Sequence, residues 1–169
     1  QMKKNSKNHH AGRMISLLLA LCMVLAIAPI TAFAAGEKIT TINISVDKSY
    51  NVGDEPQAGV TITSSDPHCT VAYVRWREKE AGDDKAYWYS DPAKMAALPD
   101  DQKFTKFDAG KEYRCDVVLE ADIGYRFDDR ETIKIYENDD RWPFPSTNIF
   151  LTNSNATLTM YNVASLKIS

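Results

Sequence analysis

The amino-acid sequence predicts an all-β protein, a β-sandwich of about eight strands with one short helix. Short runs of β-branched and aromatic residues recur along the chain, and Gly, Pro, Asp and Asn separate them. Turn signals therefore fall roughly every 8–12 residues, which is typical of sandwiches. The clearest run, at 111–121, alternates apolar and polar residues.

The first half of the chain supplies four predicted strands, each bounded by turn residues. Apolar side chains largely alternate in the first strand, and "NVGDEP" and "SSDPH" provide the turns on either side of the second. In the third strand, Ala72, Val74 and Trp76 share one face because side chains alternate across a strand. We predict these strands at 39–46, 60–62, 70–77 and 86–90.

One short helix is predicted near 92–98. Asp91 has a side chain that caps helix N-termini, and Pro92 suits the first helical position, where no backbone N–H is needed. Pro99 then ends the helix.

The predicted strand at 111–121 has one buried face and one solvent-facing face, as a half-buried strand requires. Further strands are predicted at 132–137 and within 156–168. In the strand at 111–121, the buried face carries Tyr113, Cys115, Val117, Leu119 and Ala121, and the solvent-facing side carries Arg114, Asp116 and Glu120.

Three segments together resemble a known family. They are "ITTINISV" followed by "VGDEP", the strand "VRWR", and "FDAGKEYRCDVVLEADIGYRF", of the form F-x-x-G-K-x-Y-x-x-x-V-x-L-x-A-x-x-G-Y-x-F. The chain resembles the immunoglobulin-like β-sandwich modules of secreted and surface proteins of Gram-positive (Firmicutes-type) gut bacteria, over most of residues 38–137. The matching residues are Gly53, Trp76, Phe107, Gly110, Tyr113, Leu119, Ala121, Gly124, Tyr125 and Phe127.

This resemblance implies an immunoglobulin-like antiparallel β-sandwich of about 7–9 strands. In such modules the matching residues are architectural: Gly124 opens a turn, and Tyr125 and Phe127 pack the corner between strands. The resemblance brings no catalytic residue, and the common roles of its members are spacing, display and binding. The chain departs from the family pattern at "ENDDRWPFP" and in carrying two cysteines in this region.

Residues 1–34 have the features of a secretory signal peptide. Four basic residues and no acidic residue accompany an apolar run at 14–28, and the small residues Ala32 and Ala34 follow Pro29. This order predicts cleavage after Ala34 and a secreted or cell-surface-associated protein. The alternative is an uncleaved anchor, because the stretch 14–35 is about as long as a membrane span.

Cleavage would leave residues 35–169 as a single β-sandwich domain. Its net charge would be −7, because the leader removes four positive charges from a chain whose net charge is −3. Such a chain is a poor ligand for nucleic acid, which attracts basic surfaces. No apolar stretch long enough to span a membrane follows Ala35, so we expect no span after cleavage.

Cleavage also reduces three cysteines to two, Cys69 and Cys115. Outside the cell these two can form a disulfide. Closing that loop would stabilise the protein by roughly 4 kcal/mol in the chain-entropy description. The alternative is two separate buried thiols that behave as small hydrophobic side chains.

No group of residues predicts catalysis, and we expect no metal ion and no cofactor. His68 is the one histidine after the leader, and adjacent strand residues such as Cys69 point to opposite faces. Pairs of acidic residues recur without the spacing of a calcium loop, so we expect solvated turn carboxylates. These pairs are Asp83 with Asp84, Asp100 with Asp101, Asp128 with Asp129, and Asp139 with Asp140.

Aromatic residues provide the functional hypothesis. Trp88 in "YWY", and Trp142 and Phe144 in "RWPFP", fall in or near loops, where a flat ring can stack on a sugar or on a partner's side chain. The alternative is that these rings close the ends of the sandwich.

The sequence therefore predicts a secreted, non-enzymatic module for surface display, adhesion or partner binding, with an unknown protein or glycan as partner. The alternative is a carbohydrate-binding module that uses the loop aromatics. A small secreted hydrolase is the third hypothesis, and it would need two carboxyl groups about 5–10 Å apart in one cleft.

Overall fold

The computed structural model describes residues 36–80, 83–138, 140–141, 148–152 and 154–169. The predicted signal peptide, Trp142, Phe144 and Asp139 lie outside these residues. The elements are the strands β1 (Glu37–Ile39), β2 (Thr41–Val46), β3 (Val60–Ile62), β4 (Cys69–Glu80), β5 (Asp83–Tyr89), β6 (Glu112–Ala121), β7 (Tyr125–Phe127), β8 (Lys134–Glu137), β9 (Asp140–Arg141), β10 (Ile149–Thr152) and β11 (Thr157–Lys167), the helix α1 (Pro92–Ala97) and a 3-10 turn (Asp100–Gln102).

The strands form two larger sheets and a two-stranded one. The five-stranded sheet has the order β10-β11-β6-β4-β5, and every pair in it is antiparallel. The four-stranded sheet has the order β3-β2-β8-β9, and β1 pairs with β7. The predicted all-β, sandwich-like fold is confirmed.

Two strand pairs differ from the antiparallel prediction. β1 pairs in parallel with β7, and β2 pairs in parallel with β8. A parallel pair needs a long connection, and the chain between β2 and β8 contains most of the five-stranded sheet. The periodicity of a strand reports which face is buried and carries no information about the direction of its neighbour.

The hydrophobic core draws buried residues from both larger sheets. Ile42 and Ile44 of β2 belong to the same cluster as Trp76 of β4 and Leu119 of β6. The Trp76 ring contacts Phe107 edge-on at 5.4 Å between centroids, and its Nε1 donates to the backbone oxygen of Gln57 at 2.9 Å. The core therefore lies between the sheets, on the face that the alternation of β6 predicted.

The predicted helix is present as α1. The Asp91 carboxylate accepts from the backbone N–H of Ala93 at 2.8 Å and of Lys94 at 3.3 Å, and Pro92 occupies the first turn. None of the helix residues is buried, so α1 lies on the surface of the sandwich. No helix in the described part of the chain is long and apolar enough to cross a membrane.

Residues that the family resemblance marks as architectural have structural roles here. The Tyr113 hydroxyl accepts from the backbone N–H of Asp108 at 2.9 Å and donates to Glu78 at 3.2 Å. Gly124 has a φ of 90°, which favours glycine, in the turn between β6 and β7. Tyr125 then stacks on His68 at 3.8 Å between ring centroids.

Candidate functional site

The outer face of the five-stranded sheet contains a buried carboxylate, Asp116, in its central strand. Only 1% of the Asp116 side chain is exposed. Arg75 donates from Nε and Nη2 to one carboxylate oxygen, at 2.9 and 2.5 Å. Arg77 donates from Nη2 to the other oxygen at 3.0 Å, and its Nε lies 2.9 Å from the first. Two guanidinium groups therefore share one carboxylate.

Strand register explains why these three residues meet. Arg75 lies directly opposite Asp116 in the pairing of β4 with β6, and Arg77 lies two positions further along β4, on the same face. Directly opposite and diagonal side chains on one face of a sheet are within reach of each other. The pattern R-W-R in β4 thus places Trp76 in the core and both arginines on the outer face.

An irregularity in β11 adds further contacts. The register between β11 and β6 shifts between Met160 and Ala164, and Asn162 within this bulge has a φ of 58°. Its backbone N–H donates to Asp116 at 2.9 Å, and its side-chain oxygen accepts from Arg77 at 2.5 Å. Asn tolerates this left-handed conformation better than most residues, and bulges commonly re-aim groups in this way. We call Asp116, Arg75, Arg77 and Asn162 the Asp116 cluster.

The cluster extends to Asp84 on β5. Its carboxylate accepts from Arg77 Nη1 at 3.0 Å and lies 2.9 Å from Lys79 Nζ. Burial alone would raise the pKa of Asp84, but the hydrogen bonds and charges of Lys79 and Arg77 lower it below its ordinary value. Asp84 is therefore a paired strand residue, and the prediction of a solvated turn carboxylate is wrong at this position.

Tyrosine rings surround the exposed part of Arg75. Tyr73 and Tyr89 lie 5.9 Å apart between ring centroids, and Arg75 Cζ lies 6.0 Å from the centroid of Tyr161. Lys94 of α1 places its Nζ 4.6 Å from the centroid of Tyr73, within cation–π distance. All three tyrosines are partly exposed. We call Tyr73, Tyr89, Tyr161, Arg75 and Lys94 the tyrosine–arginine surface.

The Asp116 cluster stabilises the charged guanidinium of Arg75 against the cost of burial. Burial alone would lower the pKa of Arg75, and the charge and hydrogen bonds of Asp116 raise that pKa above its usual value. The Asp116 oxygens are occupied by donors from three residues, so this carboxylate is poorly placed to accept a proton from a substrate. The arrangement is suited to recognition by a fixed, charged guanidinium between aromatic rings.

A cleft lies at one end of β4, separate from the tyrosine–arginine surface. It has a volume of about 580 Å³ and is lined mainly by charged side chains of both signs, among them Glu78, Lys103 and Asp108. The Glu78 carboxylate is held by Lys111 at 3.1 Å and by the Tyr113 hydroxyl at 3.2 Å. Because the lining mixes acids and lysines, this cleft favours neither anionic nor cationic ligands.

Of the predicted binding residues, Trp88 is the one that the structure describes. It lies near the end of β5, opposite Trp76, and packs partly buried against the core. This position agrees with the alternative that its ring closes the sandwich, and a role in binding stays a prediction. Trp142 and Phe144 belong to the segment between β9 and β10, the edge strands of the two larger sheets.

The predicted disulfide is wrong, because Cys69 and Cys115 are separate, buried free thiols. Cys69 pairs with Ala121 at one end of the β4–β6 ladder, whereas Cys115 pairs with Trp76. These positions are about seven residues apart, on the order of 20 Å, and a disulfide needs Cα atoms within about 7 Å.

Burial raises the pKa of Cys69 to about 11 and raises that of Cys115 further, so both thiols are poor nucleophiles.

The remaining polar candidates have structural partners. His68 stacks on Tyr125, and its Nε2 lies 3.1 Å from Asp66, so it belongs to the turn before β4. Asp128 is largely buried and accepts a hydrogen bond from Lys38 at 2.6 Å, so the prediction of a solvated turn carboxylate is wrong here too. Within the described ranges, no group of three or more His, Cys, Asp or Glu is placed to hold a metal ion.

Sequence reasoning missed the Asp116 cluster because it assigned the outer face of β6 to solvent. The signal lay in two places: "RWR" puts two arginines on one face of β4, and Asp116 lies between Cys115 and Val117 at the centre of β6. A lone carboxylate in the centre of a five-stranded sheet needs cationic partners. The bulge at Asn162 has no comparable signal in the sequence.

Comparison of the chain with known protein families, with curated proteins and with solved structures finds no match.

Proposed function

We propose that this protein is a secreted, non-enzymatic, immunoglobulin-like module that binds a partner protein through the tyrosine–arginine surface. The observation that carries the proposal is the position of Arg75, which the buried Asp116 fixes among three partly exposed tyrosines. Tyrosine and arginine are both enriched among the residues that provide most of the binding energy in protein interfaces.

The pre-organisation of this surface supports a binding role. Binding a partner costs entropy for each long side chain that becomes ordered, and Arg75 is already ordered by its two hydrogen bonds to Asp116. Tyrosine rings have few rotatable bonds and present both an apolar body and a hydroxyl. A partner would therefore meet a surface that changes little on binding.

Export supports the proposal from the sequence. Removal of residues 1–34 would place the domain outside the cell, where a module without catalytic residues acts through contacts with other molecules. Mass spectrometry of the exported protein should give a chain that begins at Ala35. A full-length chain retained in the cytoplasm would contradict this part of the proposal.

Site-specific photo-crosslinking tests the surface directly. A photo-reactive amino acid replaces Tyr161 on the outer face, and in a matched control it replaces Lys134, which is exposed in the four-stranded sheet. Each protein is illuminated with the extracellular and cell-surface fraction of the producing organism. We expect a discrete protein adduct from position 161 and none from position 134.

Competition shows whether the adduct depends on the tyrosines. Excess unlabelled wild-type protein should suppress the adduct, and the double variant Tyr73→Ala, Tyr161→Ala should compete at least about tenfold less well. Equal adducts from positions 161 and 134, or equal competition by the double variant, would overturn the proposal. Binding to a polysaccharide on a glycan array, lost in the double variant and without any protein adduct, would replace it with the carbohydrate-binding alternative.

A further inference from the structure

The two larger sheets end in four edge strands, β5, β10, β3 and β9. An edge strand has unpaired backbone groups and can pair with another chain, so proteins protect such edges with charges, short strands or covering segments. β5 contains three charged residues in succession, Asp83, Asp84 and Lys85, and the following segment bridges it at Lys103. β9 consists of two charged residues, and β3 has only three residues.

β10 is also short, but it lacks protective charges, and no described segment covers its free edge. Its four residues, Ile149, Phe150, Leu151 and Thr152, carry no charge and no proline. Among the residues with described positions, its backbone pairs only with β11. The Phe150 side chain is 53% exposed, which makes it one of three large hydrophobic residues with this degree of exposure in the described part of the chain.

The surroundings of β10 are also uncharged. Residues 142–166 contain no Asp, Glu, Lys, Arg or His, so the whole hairpin of β10 and β11 up to Leu166 is neutral. The rest of the chain carries a net negative charge, which opposes contacts between copies through most of the surface. The hairpin is the region where two copies can meet without repulsion between like charges.

From these observations we propose that two copies of this chain pair through β10, edge to edge and antiparallel. The contact joins the five-stranded sheets of the two copies into one continuous sheet of ten strands. The pairing is isologous, because the same strand is used by both copies, and it closes after two copies because each has only one β10.

The alternation of side chains fixes the register of this pairing. Phe150 points to the outer face and Ile149 to the core, so a partner residue opposite Phe150 must itself point outward for the two sandwiches to stay aligned. A two-fold axis at Phe150 places this residue opposite Phe150 of the second copy, and Ile149 opposite Leu151 of the second copy. An aromatic pair in directly opposite positions is a favourable cross-strand contact.

A charge at position 150 tests the pairing. We expect light scattering after size-exclusion chromatography to give the mass of a dimer for the wild-type chain 35–169, and the mass of a monomer for Phe150→Lys. Two lysines directly opposite each other in an antiparallel pair repel. The matched control is Val52→Lys, which changes a residue of almost equal exposure, 52%, in the turn before β3, and it should remain dimeric.

A cysteine at the same position provides a positive test, because the two native thiols are buried. Phe150→Cys should give a covalent dimer on a non-reducing gel after mild oxidation or treatment with a short bis-maleimide, and Val52→Cys should not. A monomeric wild-type chain up to sub-millimolar concentration would overturn the proposal. A dimer that persists in Phe150→Lys, or a crosslink from position 52 equal to that from position 150, would also overturn it.

This inference does not depend on the tyrosine–arginine surface, and the two can fail separately. Mass spectrometry of the adduct at position 161 distinguishes a different protein from a second copy of this chain, whereas the mass of the purified chain reports on self-association alone.

Discussion

The two faces of β6 are both buried at the centre of the strand, but they are buried by different means. On the core face, Cys115, Val117 and Leu119 are fully buried by apolar packing from both sheets. On the outer face, Asp116 is 1% exposed because two arginines and a bulged strand enclose it. An apolar core tolerates substitution by other apolar side chains of similar volume. A buried carboxylate is destabilising unless hydrogen-bond donors are positioned around it.

This difference determines which substitutions each face of β6 tolerates. Removing apolar volume from the core face leaves a cavity whose cost depends on how far the neighbours can collapse. Removing Asp116 from the outer face leaves Arg75 without its carboxylate partner, whereas Arg77 keeps Asp84, and both arginines keep some contact with water. The two faces should therefore respond differently to truncation and to compensation by a second substitution.

The largest effect is expected on the core face, for Trp76→Ala. Trp76 is fully buried, contacts Tyr50 and Phe107, and lies opposite Cys115. Truncation of such a ring costs about 3–5 kcal/mol of unfolding free energy. Urea denaturation should show a lower midpoint for this variant than for the control Glu120→Ala, an exposed residue of β6 that should change the stability by less than about 0.5 kcal/mol.

A loss below about 1 kcal/mol in Trp76→Ala would contradict the comparison, because it would mean that the core face is loosely packed.

A smaller loss is expected on the outer face, for Asp116→Ala. The variant leaves Arg75 without its carboxylate partner, whereas Arg77 keeps its contacts with Asp84 and Asn162. The exposed fractions of the two arginine side chains are 26% and 12%. Because water can still reach both guanidinium groups, we expect a loss of about 2–3 kcal/mol, less than for a fully enclosed pair.

A double-mutant cycle separates ionic pairing from simple packing. If the loss on removing Asp116 arises from unpaired charge, the double variant Asp116→Leu, Arg75→Met should lose less stability than the sum of the losses in Asp116→Leu and Arg75→Met. Strictly additive losses in this cycle, measured by thermal unfolding, would show that the carboxylate does not stabilise the arginines.

The smallest change in stability is expected for the Lys38–Asp128 ion pair, which is more exposed than the Asp116 cluster. This change should depend on pH. Hydrogen bonds from Lys38 and Thr132 and the backbone N–H of Asp129 lower the pKa of Asp128 from 3.8 to about 2. The folded chain therefore binds this proton more weakly than the unfolded chain, so the stabilisation is present above about pH 4 and is lost as the pH falls towards 2. Asp128→Asn should have a shallower decrease in stability over this range, measured by denaturant midpoints at several pH values.

The control for this measurement is Asp83→Asn, at an exposed residue of β5. If Asp128→Asn and the wild-type protein lose stability in parallel between pH 4 and pH 2, the Lys38–Asp128 contact does not contribute to the acid sensitivity of the fold.

Much of the fold could be predicted from sequence because burial leaves a periodic signal. The strands at 111–121 and 70–77, the capped helix after Asp91 and the core position of Trp76 follow from alternation or from capping chemistry. The prediction that Ala72 shares a face with Val74 and Trp76 is wrong, because the register of β4 shifts between Val71 and Tyr73 and leaves Ala72 exposed. The short strands β7, β9 and β10 could not be predicted in this way, since two to four residues are too few to show a period. Their positions depend on neighbours that are distant in sequence.

The candidate site was less predictable for a related reason. Alternation correctly assigned Asp116 to the outer face, but exposure on that face depends on which strands lie beside β6 and in what register. The same limitation explains the disulfide prediction, because Cys69 and Cys115 both fall at buried positions while their separation depends on register. The Asn162 bulge is determined by tertiary contacts and leaves no local pattern.

The parallel pairing of β1 with β7 has a consequence for the order of folding if the protein is exported as we propose. Lys38 bonds to Asp128 across 90 positions of the chain, so β1 would have no partner until most of the domain had left the translocation channel. Contacts between such distant segments form late, because the intervening chain must be brought together first. The predicted cleavage point after Ala34 lies three residues before β1, so a peptidase could act there before the late pairing of β1 with β7 is complete.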